Sequence, residues 1–114
     1  MSLIYKILSR DEWATAEAKG RFEGSPVDLA DGYIHFSTAA QAAETLAKHF
    51  AGRDDLMLAT VETDTLGSAL KWEPSRGGAL FPHLYEALAL DKVIEASPIP
   101  VGADGAPTLG SLGL

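Results

Sequence analysis

Hydrophobic and polar positions along this chain change period several times, from the alternation of a strand to the three-and-four spacing of a helix and back. Leu3 to Leu8 is a β-rich run ending at Ser9, and Ser9 with Glu12 three residues on makes a capping box. A helix is therefore expected from Ser9, turning Trp13 and Ala16 inward and stopping near Gly20, where glycine tolerates the left-handed cap conformation. From Arg21 to Asp31 the pattern dissolves around Gly24-Ser25-Pro26 and Asp31-Gly32, which predicts a loop anchored by Phe22 and Leu29. A strand follows at Tyr33 to Phe36, and Ser37 or Thr38 caps a second helix whose Ala43, Leu46, Ala47 and Phe50 form a stripe. Glu44 and Lys48 lie one turn apart on its outer face in the favourable order, and Gly52 ends it.

Leu56 to Thr63 is apolar at nearly every residue, as in a strand covered on both sides, whereas Leu70 to Glu73 alternates like one covered on a single side. Asp64 to Ser68 between them reads as a short helical turn or loop. Beyond the glycine-rich Ser75 to Gly78 come Phe81 to Tyr85 and a last strand at about Lys92 to Ile99. The glycine-rich ending, Val101 to Leu114, predicts either a hairpin turned at Asp104-Gly105 or a loose tail. There is no internal repeat. Strands outnumber helices without regular βαβ alternation, so the expectation is an α+β domain with a small bent or split, mostly antiparallel sheet and two main helices.

Composition narrows the class. A length of 114 residues, 46% hydrophobic and 22% charged, suits one soluble domain with a single core. Sixteen acidic against nine basic residues give a formal charge of -7, which repels a phosphate backbone unless cations gather on one face. Lys and Arg are instead spread singly, so nucleic acid is disfavoured as a partner, although Lys71 and Arg76 could hold a small anion. Cysteine is absent, which removes disulfides, thiolate metal sites and thiol nucleophiles. The apolar run at the amino terminus is too short for a signal peptide, and no stretch approaches the ~20 apolar residues of a membrane span. A cytoplasmic location is the expectation; the sequence leaves the oligomeric state open.

Candidate chemistry comes from two clusters, Asp31-Gly-Tyr-Ile-His-Phe-Ser-Thr38 and Trp72-Glu73-Pro74 with Phe81-Pro-His-Leu-Tyr85. Alternation sends Ile34 and Phe36 to one face and Tyr33 and His35 to the other, sets Leu70 and Trp72 against Lys71 and Glu73, and places His83 with Phe81 and Tyr85. Each residue also has a plain structural reading. A lone strand histidine is commonly a hydrogen-bonded structural residue, and His49 is simply a cation at a helix C-terminus. Ser37 and Thr38 are caps, Glu73 is a surface partner for Lys71 or Arg76, and Trp72 and Tyr85 are core aromatics. Against those readings stands their combination: two histidines, a carboxylate, a phenol and a helix start suited to phosphate or carboxylate.

These motifs, with Ile4-Tyr5-Lys6 and Trp13 before them, resemble over nearly the whole chain a bacterial domain-of-unknown-function family, number nine hundred and fifty-two. That family is similar to the ADP-ribosyltransferase superfamily, whose split sheet holds NAD in a cleft. The resemblance implies NAD or an ADP-ribosylated compound as substrate, in an NAD-dependent or ADP-ribosyl group transfer. Its phosphates would sit near the N–H groups of Ser37 and Thr38, and Tyr85 or Trp72 would stack a ring. Glu73 would stabilise the charge of the breaking glycosidic bond, and His35 or His83 would orient the substrate or act as general base. Many relatives read Ile-Tyr-His where this chain has Lys6, a residue able to reach a phosphate instead, and Glu86 stands where relatives commonly carry glycine. Two further classes stay open: a non-catalytic module binding a metabolite or a protein, and a metal-dependent hydrolase using His35, His83 and Glu73.

Overall fold

The apolar run at Leu56 to Glu62 becomes strand β4 at the centre of a three-stranded sheet, between β1 (Leu3–Ser9) and β8 (Val93–Pro98). β1 pairs with β4 in unbroken register from Leu3 opposite Glu62 to Ser9 opposite Leu56. On the other side the register shifts between Thr60 and Val61, which face Glu95 and Val93; Ile94 is left over and turns out to solvent. Near-continuous hydrophobicity follows from this central position, because both faces of β4 are covered. The computed structural model of the chain describes residues 2–114, except the side chain of Arg76, so the pairing of Glu73 with Arg76 and the Lys71–Arg76 patch lie outside the described residues.

A second sheet runs in the order β3 (Ile34–His35), β6 (Leu80–Leu84), β5 (Leu70–Pro74). β2 (Arg21–Phe22) pairs with β7 (Leu88–Ala89) in a third. Every pairing between named strands is antiparallel. The first two sheets are joined where Tyr5 and Ser37 exchange backbone hydrogen bonds of 2.8 Å each. The result is an α+β fold of small antiparallel sheets with three helices: α1 (Arg10–Lys19), α2 (Pro26–Asp31) and α3 (Ala39–His49). No helix among the described residues is long and apolar enough to cross a membrane.

Helix α1 starts in the expected capping box, with the Glu12 N–H donating to Ser9 Oγ at 3.0 Å and the Ser9 N–H to Glu12 Oε1 at 2.8 Å. It stops at Gly20, whose φ of +78° is the left-handed cap. Between Arg21 and Asp31 the chain is not a loop. It forms β2 and then α2, because Pro26 occupies the first helical position and Asp28 caps Ser25 from three residues on. Phe22 is buried there as expected, but Leu29 is 66% exposed and the carboxylate of Asp28 takes the interior position.

The inner face of α3 is Ala42 and Leu46 with half-buried Phe50, while Ala43 and Ala47 are exposed. Four-residue spacing holds, but the stripe lies one residue earlier than expected at Ala43 and Ala47. One core, with Ile4, Leu8, Phe36 and Leu84 in it, lies between the sheets and α1; the other gathers Ile7, Leu46, Leu56, Leu58, Ile99 and Leu109. The ending belongs to this second core: Val101 bridges Pro107 across a turn at Gly105, and Leu112 and Leu114 pack beside Leu109.

Candidate functional site

Strands β3, β6 and β5 carry His35, His83 and Lys71 directly opposite one another, so these side chains share one face of the second sheet. Tyr33, Glu73 and Tyr85 lie two positions along on that face, while Ile34, Leu84 and Leu70 fill the other. The ring of Tyr33 is the hub, with centroids 4.6 Å from His35, 4.1 Å from His83 and 5.2 Å from Tyr85. The two histidine rings meet edge to face at 5.4 Å.

Each histidine is held by a carboxylate at Nδ1. His83, buried, lies 2.8 Å from Glu73 Oε1, which also accepts the Tyr85 hydroxyl at 2.7 Å. Those two hydrogen bonds, His83 first, keep the Glu73 carboxyl below its usual range. In return, the bond to Glu73 and, after it, burial push the Tyr85 phenol up to about 12. Burial and the charges of Asp31 and Glu73 raise the Tyr33 phenol as well.

His35 lies 2.6 Å by Nδ1 from Asp28 Oδ1 and 2.9 Å by Nε2 from Asp31 Oδ2. Asp28 is one of the most enclosed residues in the fold. Its Oδ1 accepts the His35 N–H at 3.1 Å and its Oδ2 accepts the Ser25 N–H and hydroxyl at 2.9 Å each. The Lys6 ammonium lies 2.9 Å from Oδ2 and 3.1 Å from Oδ1. Burial alone would raise the Asp28 carboxyl; the His35 bond and the Lys6 charge outweigh it and hold the group well below the carboxylate range. Burial lowers Lys6 against the opposing pull of Asp28.

His35, His83, Glu73 and Tyr85 thus come together. Lys6 connects to them from beneath, through Asp28, and its ammonium is spent on that pair. Trp72 lies on the opposite face of β5, opposite Pro82 and exposed, so it does not share the face of Tyr85. Ser37 is buried, with its hydroxyl 3.0 Å from Thr45 and its N–H on the Tyr5 carbonyl. Thr38 caps α3, and its N–H donates to Gln41 Oε1 at 3.1 Å. Neither N–H is therefore free for a phosphate. Glu86 is exposed beside Tyr85.

Among the described residues no three His, Asp or Glu side chains gather in a way that could hold a metal ion. The Nδ1 atoms of His35 and His83 face separate carboxylates rather than a common point, so the ligand set His35, His83 and Glu73 has no shared centre. Two concave regions, about 420 Å³ between α3 and the chain ending and about 310 Å³ over β1, β4 and β8, lie away from the cluster. Chemically, the cluster offers stacked rings, ionised carboxylates and two histidines of fixed orientation.

Asp28 and Asp31 escape a reading by hydrophobic pattern. Ser25-Pro26-Val27-Asp28 did hold a signal, since serine, a proline at the first helical position and an acid three residues on is the signature of a helix start.

No functionally curated protein matches the chain. The family described as "Protein of unknown function (DUF952)" matches residues 7–96. Among solved structures, the chain is similar to the crystal structure of protein CC0527 from Caulobacter crescentus, with 57% identity over 97% of each chain and a TM-score of 0.93. A crystal structure of a double mutant of CC0527 gives 55% identity over 97% of each chain and a TM-score of 0.93. Its solution NMR structure gives 57% identity, 98% of this chain, 97% of that one and a TM-score of 0.88. With the family match spanning most of its length, the chain belongs to the DUF952 family of proteins of unknown function.

Proposed function

We propose that the face formed by Tyr33, His35, His83 and Tyr85 binds a nucleotide-type ligand, NAD or an ADP-ribosylated compound, with Glu73 as the carboxylate of a group-transfer site. The observation that carries the reading is the packing of Tyr33 against both histidines and Tyr85 beside the Tyr85–Glu73–His83 hydrogen bonds. Stacked rings suit a planar ligand group, and the split antiparallel sheets agree with an ADP-ribosyltransferase-like ancestry.

In such a transfer the bond between nicotinamide nitrogen and ribose breaks and its electron pair leaves with nicotinamide, while a lone pair of the acceptor, water in the simplest case, forms the new bond to the ribose carbon and the acceptor's proton passes to solvent. Glu73, kept ionised by His83 and Tyr85, would stabilise the positive charge left on the ribose. Lys6 has no part in holding the ligand, since Asp28 already neutralises it. A second reading, a binding module without chemistry, is favoured by the same hydrogen bonds, which tie the acid and both histidines to internal partners.

Calorimetry of the purified protein with NAD and with ADP-ribose tests the proposal. Saturable binding that is lost in His35→Ala supports it; absence of binding by either ligand overturns it. Release of nicotinamide from NAD that disappears in Glu73→Gln selects the enzyme, and binding without release selects the module.

A further inference from the structure

Both ring nitrogens of His35 lie within 3 Å of a carboxylate oxygen, and the two carboxylates come from the same helix, α2. Asp28 Oδ1 lies 2.6 Å from Nδ1 and Asp31 Oδ2 lies 2.9 Å from Nε2. The two acids differ in everything else. Asp28 is 1% exposed and held by Lys6 and Ser25 as well; Asp31 is 45% exposed. The accessible side of the His35 ring is therefore the Nε2 side, and Asp31 covers it.

Asp31 is the last residue of α2, followed by Gly32 at φ +88°. A carboxylate at the carbonyl end of a helix is disfavoured by the helix dipole, so its position gains nothing from α2 itself. What holds it is His35. An anionic oxygen thus already sits where a ligand would meet Nε2, beside the ring of Tyr33.

We infer that Asp31 stands in for an anionic oxygen of the ligand: a phosphate oxygen of the bound compound displaces Asp31 from His35 Nε2, while Asp28, anchored by Lys6, keeps the ring oriented as a positioning residue. The inference rests on the nucleotide reading above and locates its phosphate at His35, not at the start of α3, where the N–H groups of Ser37 and Thr38 already have acceptors. Asp31 then acts as a competitor within the protein, and ligands lacking an anion leave it in place.

The test compares wild-type protein with Asp31→Ala, using ADP-ribose, pyrophosphate and adenosine as probes and the nitrogen-15 signal of His35 Nε2 as readout. Removing a competing exposed carboxylate is expected to tighten ADP-ribose and pyrophosphate by roughly threefold to tenfold. Adenosine, which carries no phosphate, gains nothing. Glu86→Gln removes a nearby exposed charge without touching His35 and changes the affinity for ADP-ribose by less than about twofold. An Asp31→Ala protein that binds ADP-ribose no better than wild type overturns the inference while leaving the nucleotide reading intact, as does an equal gain for adenosine or in Glu86→Gln. If ADP-ribose binds neither wild type nor Asp31→Ala, both fall. Asp31 is exposed and caps no helix start, so the variant keeps its fold, checked by the unchanged signal of His49.

Discussion

Asp28 keeps a negative charge in the interior because every oxygen lone pair that faces the protein has a donor: Lys6, Ser25 and His35 by both backbone and ring. Removing one partner of such a pair leaves the other buried and unmatched. Lys6→Met is expected to cost about 3–5 kcal/mol in chemical denaturation, and Lys6→Met/Asp28→Asn to recover much of that loss because no lone charge remains. The pH dependence has a definite sign. Asp28 has an ordinary carboxylate value near 4 when unfolded and a lower one when folded, so its contribution is full above about pH 4. It is lost as the pH falls through the folded value. Denaturant midpoints measured from neutral to acid pH should fall less steeply in the double variant. Tyr85 offers an optical check on the same face: its phenol, pushed up to about 12 by Glu73, should return toward 10 in Glu73→Gln, read by ultraviolet titration. An unmoved Tyr85 would sever the link to Glu73. At this scale the faces of His35, Glu73 and His83 follow from strand alternation alone, whereas Asp28 was hidden because a buried acid obeys no hydrophobic period.

The helices show where local signals suffice and where they mislead. Ser9 with Glu12, and Thr38 with Gln41, start α1 and α3 where a polar residue ahead of an apolar run predicts a start. The same signal at Ser25 and Asp28 is masked by Gly24 and Pro26, which read as breakers, although proline at the first turn lacks only an N–H that has no helical partner. The stripe of α3 is displaced because alanine is indifferent to burial: Ala42 and Ala43 look alike in sequence, and only packing against β1 and β4 selects Ala42. Thr38 separates capping from ligand binding. Thr38→Ala is expected to lower stability by about 1 kcal/mol, by loss of the cap, and to leave the affinity for ADP-ribose unchanged. A loss of affinity without a loss of stability would return Thr38 to the site.

Across the whole molecule, two cores support one polar face. The chain ending belongs to the second core through Leu109, which the glycine-rich sequence disguised, since glycine and proline suggest looseness even where the leucines between them are fixed by Leu46 and Ile99. Leu109→Ala should destabilise the fold by about 2–4 kcal/mol in thermal or chemical unfolding, and wild-type stability in that variant would mean the ending is not packed. The face of Tyr33, His35, His83 and Tyr85 depends instead on the meeting of three short strands, a long-range arrangement that motif order suggests and no local pattern specifies. The chain has three histidines, and two of them are in this face while His49 ends α3. That gives a test with an internal control. Titration of the protein with ADP-ribose, followed through its histidine ring signals by NMR, should move His35 and His83 saturably and leave His49 still; unmoved rings at 35 and 83, or equal movement of all three, would contradict a ligand site on this face.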